Sequence, residues 1–249
     1  MNKVRLVALA LAGALPGAVA AADIRVLSTA AVAPALTKVA EQYRKDTKNR
    51  LRIQYANPVQ LERRVGSGES ADVLIASPGL MNDQLRRNKV EAEMHVFLGR
   101  AGIGVAIRAG AFDPDIATLD RFKQALLGAD SIVYAQPGPG TYLEKLFDLL
   151  GIGEQLKSKT TRYASGSQVL EHVLGGKGVE IGFATIPEIR LFEGKGVKPV
   201  GPIPEQIQSS ISYSAAVMSE AVDADVAREF VQYLETAPVK AIFAAAGFD

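Results

Sequence analysis

The chain has 249 residues, 28 basic and 27 acidic side chains, 48% hydrophobic residues, two histidines and no cysteine. A balance this close to neutral gives no electrostatic reason to bind nucleic acid or an anionic membrane surface. The missing cysteines exclude disulfides, thiol catalysis and thiolate metal sites, and His95 and His172 cannot by themselves build a histidine-rich metal site.

The first element reads as an export signal. Lys3 and Arg5 precede an apolar run over 6–15, a Pro16-Gly17 break and the small residues of 18–22, the order of a secretory signal peptide. The run is shorter than the roughly 20 residues that span a bilayer. A signal over 1–22, cleaved after Ala20, Ala21 or Ala22, is therefore expected. Without it about 227 residues remain, with 26 basic against 27 acidic side chains, enough for one large domain or two lobes of about 100 residues each.

Residues 23–28 (DIRVLS) read as a first strand, and Leu36, Val39, Ala40 and Tyr43 then recur at helical spacing. Residues 51–55 alternate as a second strand, 59–65 form a short helix closed by Gly66-Ser67-Gly68, and 71–76 (ADVLIA) suit the middle of a parallel sheet. Strands alternating with helices over 23–76 are a repeating βα pattern. A second unit follows: a strand over 102–107, a helix over 119–127 capped by Thr118, a strand over 131–134 and a helix over 142–150. A helix ending near Leu174 and a strand over 179–183 complete it. After the proline-containing segment 199–204 come a strand over 211–218 and helices over 224–234 and 239–246. The fold class is α/β.

In open α/β sheets, ligands lie beyond the carboxyl ends of the strands. Four loops hold that position: Ser28-Thr29-Ala30-Ala31, Ala56-Asn57-Pro58-Val59, Pro137-Gly138-Pro139-Gly140-Thr141, and Ser165-Gly166-Ser167. All are small and uncharged. The free amides of a helix start, with about half a positive charge from its dipole, suit an anion. Ser28, Thr29, Asn57, Thr141, Ser165 and Ser167 can add hydrogen bonds. Ordinary N-capping explains any one loop, but four in two halves point to a shared cleft. Tyr142 joins these candidates, while Tyr134, Phe147, Phe183 and Phe192 read as core. Gly102-Ile103-Gly104 lacks the third glycine of a dinucleotide loop, and no Gly-Lys-Ser/Thr follows Gly66-Ser67-Gly68. Asp72 reads as a strand-edge cap. His95 and His172 have no evident triad partners. No catalytic residue, metal or cofactor is assigned.

The segments 24–36 (IRVLSTAAVAPAL), 61–76 (LERRVGSGESADVLIA), 180–183 (EIGF), 230–235 (FVQYLE) and 242–248 (IFAAAGF) carry a further signal. On them the chain resembles bacterial periplasmic molybdate-binding proteins, the solute receptors of molybdate ABC importers, over nearly all of 23–249. The resemblance implies a type II periplasmic-binding-protein fold, each lobe a mostly parallel sheet flanked by helices. Lobe one would hold 23–100 and 210–249, lobe two 101–209, with a hinge of two strands crossing near 100–102 and 209–212. It also implies a periplasmic, monomeric receptor whose partner is an ABC permease.

Such receptors typically use a serine where this chain has Ala31, and a second where Asn57-Pro58-Val59 stand. They also use a tyrosine that aligns with Thr185. Main-chain donors around Ala31, Val59, Gly140 and Ser167 remain. Each donor lost from a closed site costs about 1–3 kcal/mol, so three losses weaken binding roughly a thousandfold or more. The expected ligand is a small anion: a molybdate- or tungstate-like oxyanion, or a small carboxylate. An exported enzyme on this fold would need an acid–base group in the cleft, such as Asp72 or Glu188 beside Tyr142. A ligand-free sensor or adaptor would fill the cleft with bulky side chains.

Overall fold

The computed structural model describes residues 21–136 and 138–249; residues 1–20 of the expected signal, and Pro137, lie outside them. The chain opens with β1 (Asp23–Thr29), α1 (Ala33–Thr47), β2 (Arg50–Ala56), α2 (Pro58–Gly66), β3 (Val73–Ala76) and α3 (Pro78–Arg86). A long β4 (Val90–Arg108) and α4 (Leu119–Gly128) lead to β5 (Ser131–Ala135), α5 (Pro139–Leu149), α6 (Gly153–Lys157), β6 (Thr160–Tyr163) and α7 (Gly166–Gly175). Then come β7 (Glu180–Thr185), α8 (Ile186–Glu193), β8 (Val197–Pro202), β9 (Ser210–Met218), α9 (Ala224–Tyr233) and α10 (Ala237–Ala246).

Two lobes repeat one design. In the first, β1 lies parallel between β2 and β3, and β9 pairs antiparallel with β3. In the second, β5 lies parallel between β6 and β7, and β4 pairs antiparallel with β7. The strand path is β2-β1-β3-β9-β4-β7-β5-β6, with β8 also on β4. Strands β4 and β9 therefore carry the chain between the lobes, pairing antiparallel where 99–102 meet 210–213. Gln208 fastens this crossing: Ile103 N–H donates to its Oε1 at 2.9 Å, and its Nε2 donates to the Ile103 carbonyl at 3.0 Å.

Alternation along β1 divides the first lobe's core, because successive side chains point to opposite faces. Ile24 and Val26 pack with Leu36, Val39, Tyr43 and Phe230, whereas Leu27 packs with Leu61, Leu74 and Met81. In the second lobe Phe122, Tyr134, Phe147 and Phe183 meet at its centre. No helix among the described residues is long and apolar enough to cross a membrane.

Several elements differ from the sequence reading. The strand expected over 102–107 is the end of β4, whose first half carries Glu91 and Glu93 and so shows no clean apolar alternation. Helices α3, α6 and α8 and strands β6 and β8 are not among the elements read from the sequence. Helix α5 begins at Pro139, three residues before the expected start. Gly138 turns the chain at φ 123°, a conformation that favours glycine, and Pro139 is preset for the first helical position.

Candidate functional site

Six strand ends, three from each lobe, border one cavity of about 250 Å³. From the first lobe it is lined by Thr29, Ala30 and Ala31 after β1, Asn57 and Pro58 after β2, and Ser77 after β3. From the second come Ala135, Gly138 and Pro139, then Ala164, Ser165 and Gly166, then Ala184, Thr185 and Glu188. Ile211 and Tyr213 of the crossing strand β9 close it. Among the described residues, no lysine, arginine or histidine is in this lining.

Local sequence explains how each wall forms. Asn57 caps α2, its Oδ1 accepting from Gln60 N–H at 2.9 Å, and Ser165 Oγ accepts from Gln168 N–H at 3.4 Å on α7. Pro58, Pro78 and Pro139 begin α2, α3 and α5, where a missing N–H costs nothing. The capping reading and the cleft reading thus describe the same loops. The amides of Val59, Gly166 and Ser167, in the first turns of their helices, have no carbonyl one turn back to bond to.

Among the described residues, Glu188 is the one acidic residue lining the cavity. Its Oε2 accepts from Thr185 Oγ1 at 2.7 Å and from Thr185 N–H at 3.2 Å, a capping box that starts α8. Burial pushes its pKa up, against the pull of those two hydrogen bonds. Its Oε1 lies against Gly166, where a Cβ atom would come within 2.5 Å of it. Tyr213 is only 4% exposed and packs edge-on to Phe248, with ring centroids 6.0 Å apart. Among the described residues its hydroxyl has no hydrogen-bond partner. Burial, and then the charge of Glu188, raise its pKa.

Of the residues singled out from sequence, Thr29, Ala30, Ala31, Asn57, Pro58, Gly138, Ser165 and Thr185 line the cavity. The others lie elsewhere. Ser28 is fully buried and its Oγ donates to the Thr29 carbonyl at 3.1 Å. Val59 is 48% exposed on α2, and Thr141 and Ser167 are exposed on their helices. Gly140 packs on Tyr134, with the Ala135 carbonyl 2.5 Å from where a Cβ would sit. The Tyr142 hydroxyl donates to the Ile207 carbonyl at 2.7 Å, so it pins the segment before β9 instead of facing the cleft.

Asp72 is no simple edge cap. It is 3% exposed, pairs with Arg25 at 2.8 Å and accepts from Val222 N–H at 2.9 Å, outside the cavity lining. Ser77, Ile211 and Tyr213 carried no local signal. The Thr185-x-x-Glu188 spacing did, since a capping box marks a helix start.

The chain matches a family described as bacterial extracellular solute-binding protein over residues 24–249. It is 31% identical over 217 residues to an aconitate isomerase of Pseudomonas sp, covering 85% of this chain and 81% of that protein. Among solved structures it is similar to a periplasmic molybdate-binding protein of Azotobacter vinelandii (TM-score 0.74, 16% identity, 91% of this chain and 98% of that chain). It is also similar to the sulfate-binding protein SubI of Mycobacterium tuberculosis (TM-score 0.72, 18% identity, 91% and 86%). These likenesses show the fold: two α/β lobes joined by crossing strands, the periplasmic-binding-protein architecture.

Proposed function

Because this chain belongs to the bacterial extracellular solute-binding protein family, we propose that it is a periplasmic receptor for a small organic anion of the carboxylate class. It would capture that ligand in the interlobe cleft and hand it to an ABC importer. One observation carries the reading: six strand ends from two lobes converge on a single cavity lined by small, mostly uncharged residues. Helix-start amides supply the positive potential there. Ligand bound to both lobes favours the closed arrangement, because only that arrangement lets both contribute donors.

The cavity favours a carboxylate over molybdate or sulfate on two counts. Its volume of about 250 Å³ leaves more room than a five-atom tetrahedral oxyanion fills. Glu188 also sets an acid where a fully ionised anion would be repelled, whereas an organic acid can enter with one carboxyl protonated. Calorimetry and thermal shift with citrate, succinate, molybdate, tungstate and sulfate test the reading. A carboxylate should raise the melting temperature and release heat on binding. Silence toward every one of these anions would refute it.

A second reading, an exported isomerase, is favoured by Glu188, which puts an acid–base group in the cleft, and by the aconitate isomerase at 31% identity. Glu188 would take a proton from a methylene flanked by a carboxylate and a carbon–carbon double bond. It would return the proton to the far alkene carbon, moving the double bond with no change of oxidation state. Proton NMR of trans-aconitate in D₂O with the purified protein separates the two readings. Deuterium entry and conversion that vanish in Glu188→Gln favour the isomerase, and unchanged substrate favours the receptor.

A further inference from the structure

Resting on the carboxylate-receptor reading, we propose that Glu188 and Tyr213 read the protonation of the ligand. The cavity takes an anion together with one proton shared with Glu188 Oε1, while Tyr213 donates to an ionised oxygen of the same ligand.

The hydrogen-bond inventory of the two side chains leads there. Glu188 Oε2 already accepts twice from Thr185. Oε1, lying against the bare Cα of Gly166, is the oxygen left for a ligand. An ionised carboxylate has acceptors only, and so has an ionised ligand oxygen. Two such groups in contact carry both a charge repulsion and a missing donor. One proton between them removes both problems, as in any pair of carboxyl groups that share a site.

The surroundings offer no other remedy, since among the described residues the cavity lining contains no basic side chain. Arg190, two residues further along α8, is exposed and donates to the Ala245 carbonyl at 2.9 Å. The groups facing Glu188 are Thr185 on its own element, Gly166 at the head of α7 and Tyr213 from β9. Tyr213 supplies the complement: its hydroxyl is a donor in a side chain only 4% exposed, without a protein acceptor among the described residues. The hydroxyl borders the cavity, where an ionised ligand oxygen would give it an acceptor.

Selection follows from this arrangement. Sulfate and molybdate bring no proton near neutral pH, whereas organic acids can be bound in a singly protonated form. Tyr213 also stands in for the tyrosine whose aligned position holds Thr185, reaching the cleft from the crossing strand.

Calorimetric titration of the purified protein with citrate, in two buffers of different ionisation heat, counts protons directly. The wild type should take up about one proton per citrate, and affinity should fall about tenfold per pH unit on the alkaline side. Glu188→Gln should bind with no proton uptake and a flat pH profile. Tyr213→Phe should bind about tenfold more weakly with the proton count unchanged. Citrate binding by the wild type without proton uptake at neutral and alkaline pH alike overturns the proposal and leaves the receptor reading standing, and that measurement needs no variant. Sulfate or molybdate bound as tightly as citrate overturns it as well. Failure of citrate, succinate, sulfate and molybdate all to bind overturns both.

Discussion

Replacing Gly166 by alanine isolates the seat of Glu188 from its chemistry. The new Cβ would fall 2.5 Å from Oε1 and 2.6 Å from both Cδ and Oε2 of Glu188, about 1 Å inside ordinary contact. The carboxyl is the far end of a flexible side chain, so it would swing away and the backbone would hold. Swinging away breaks the hydrogen bonds from Thr185 at 2.7 and 3.2 Å. At about 0.5–1.5 kcal/mol each they total roughly 1–3 kcal/mol. Alanine in place of glycine on a helix returns up to about 1 kcal/mol. The net cost is about 1 kcal/mol, a fall in melting temperature of about 2–4 °C for a domain of this size. Ligand binding should change far more than stability, because the acid leaves the cavity wall. Differential scanning calorimetry gives the first quantity and citrate titration the second. A variant with unaltered melting temperature, affinity and proton uptake would show that Glu188 does not rest on Gly166, and the site described above would be wrong.

Other outcomes follow from the same contacts. Desolvation works to raise the Asp72 pKa, but hydrogen bonds from Arg25 and from the Val222 amide outweigh it and hold it below the ordinary value. A depressed folded pKa stabilises above the unfolded value near 3.9 and ceases to do so as pH falls through the folded one. Asp72→Asn should therefore cost about 2 kcal/mol at neutral pH, and the deficit should shrink below about pH 4 in denaturant titrations. Tyr142→Phe removes the bond to Ile207 and should lower stability by about 1 kcal/mol while leaving citrate affinity unchanged, the reverse of Tyr213→Phe. Phe230→Ala empties a fully buried site beside Tyr43, where the ring centroids lie 5.0 Å apart. It should cost about 3–5 kcal/mol, read from the urea midpoint.

What the sequence determined by itself is what neighbouring residues decide among themselves. Alternation in 51–55, the three- and four-residue spacing from Leu36 to Tyr43, and the small residues after β1, β2, β5 and β6 are local patterns, set by which face of an element meets the core. They suffice for the α/β class and for loops suited to an anion. Helix α8 escaped, although its Thr185–Glu188 capping box was legible. Tyr142, a candidate from its place after the glycine loop, donates to the Ile207 carbonyl, a contact no local pattern showed.

Only the tertiary structure decided what stands opposite what. Periodicity says which face of β9 is buried and nothing about its neighbours, so Tyr213 could not be placed in the cleft until β9 was seen to cross beside β4. The meeting of Tyr213 with Glu188, and of Glu188 with Gly166, joins residues from three elements with no sequence pattern in common. Burial of an acid depends on all the atoms around it, and those arrive only when both lobes have packed.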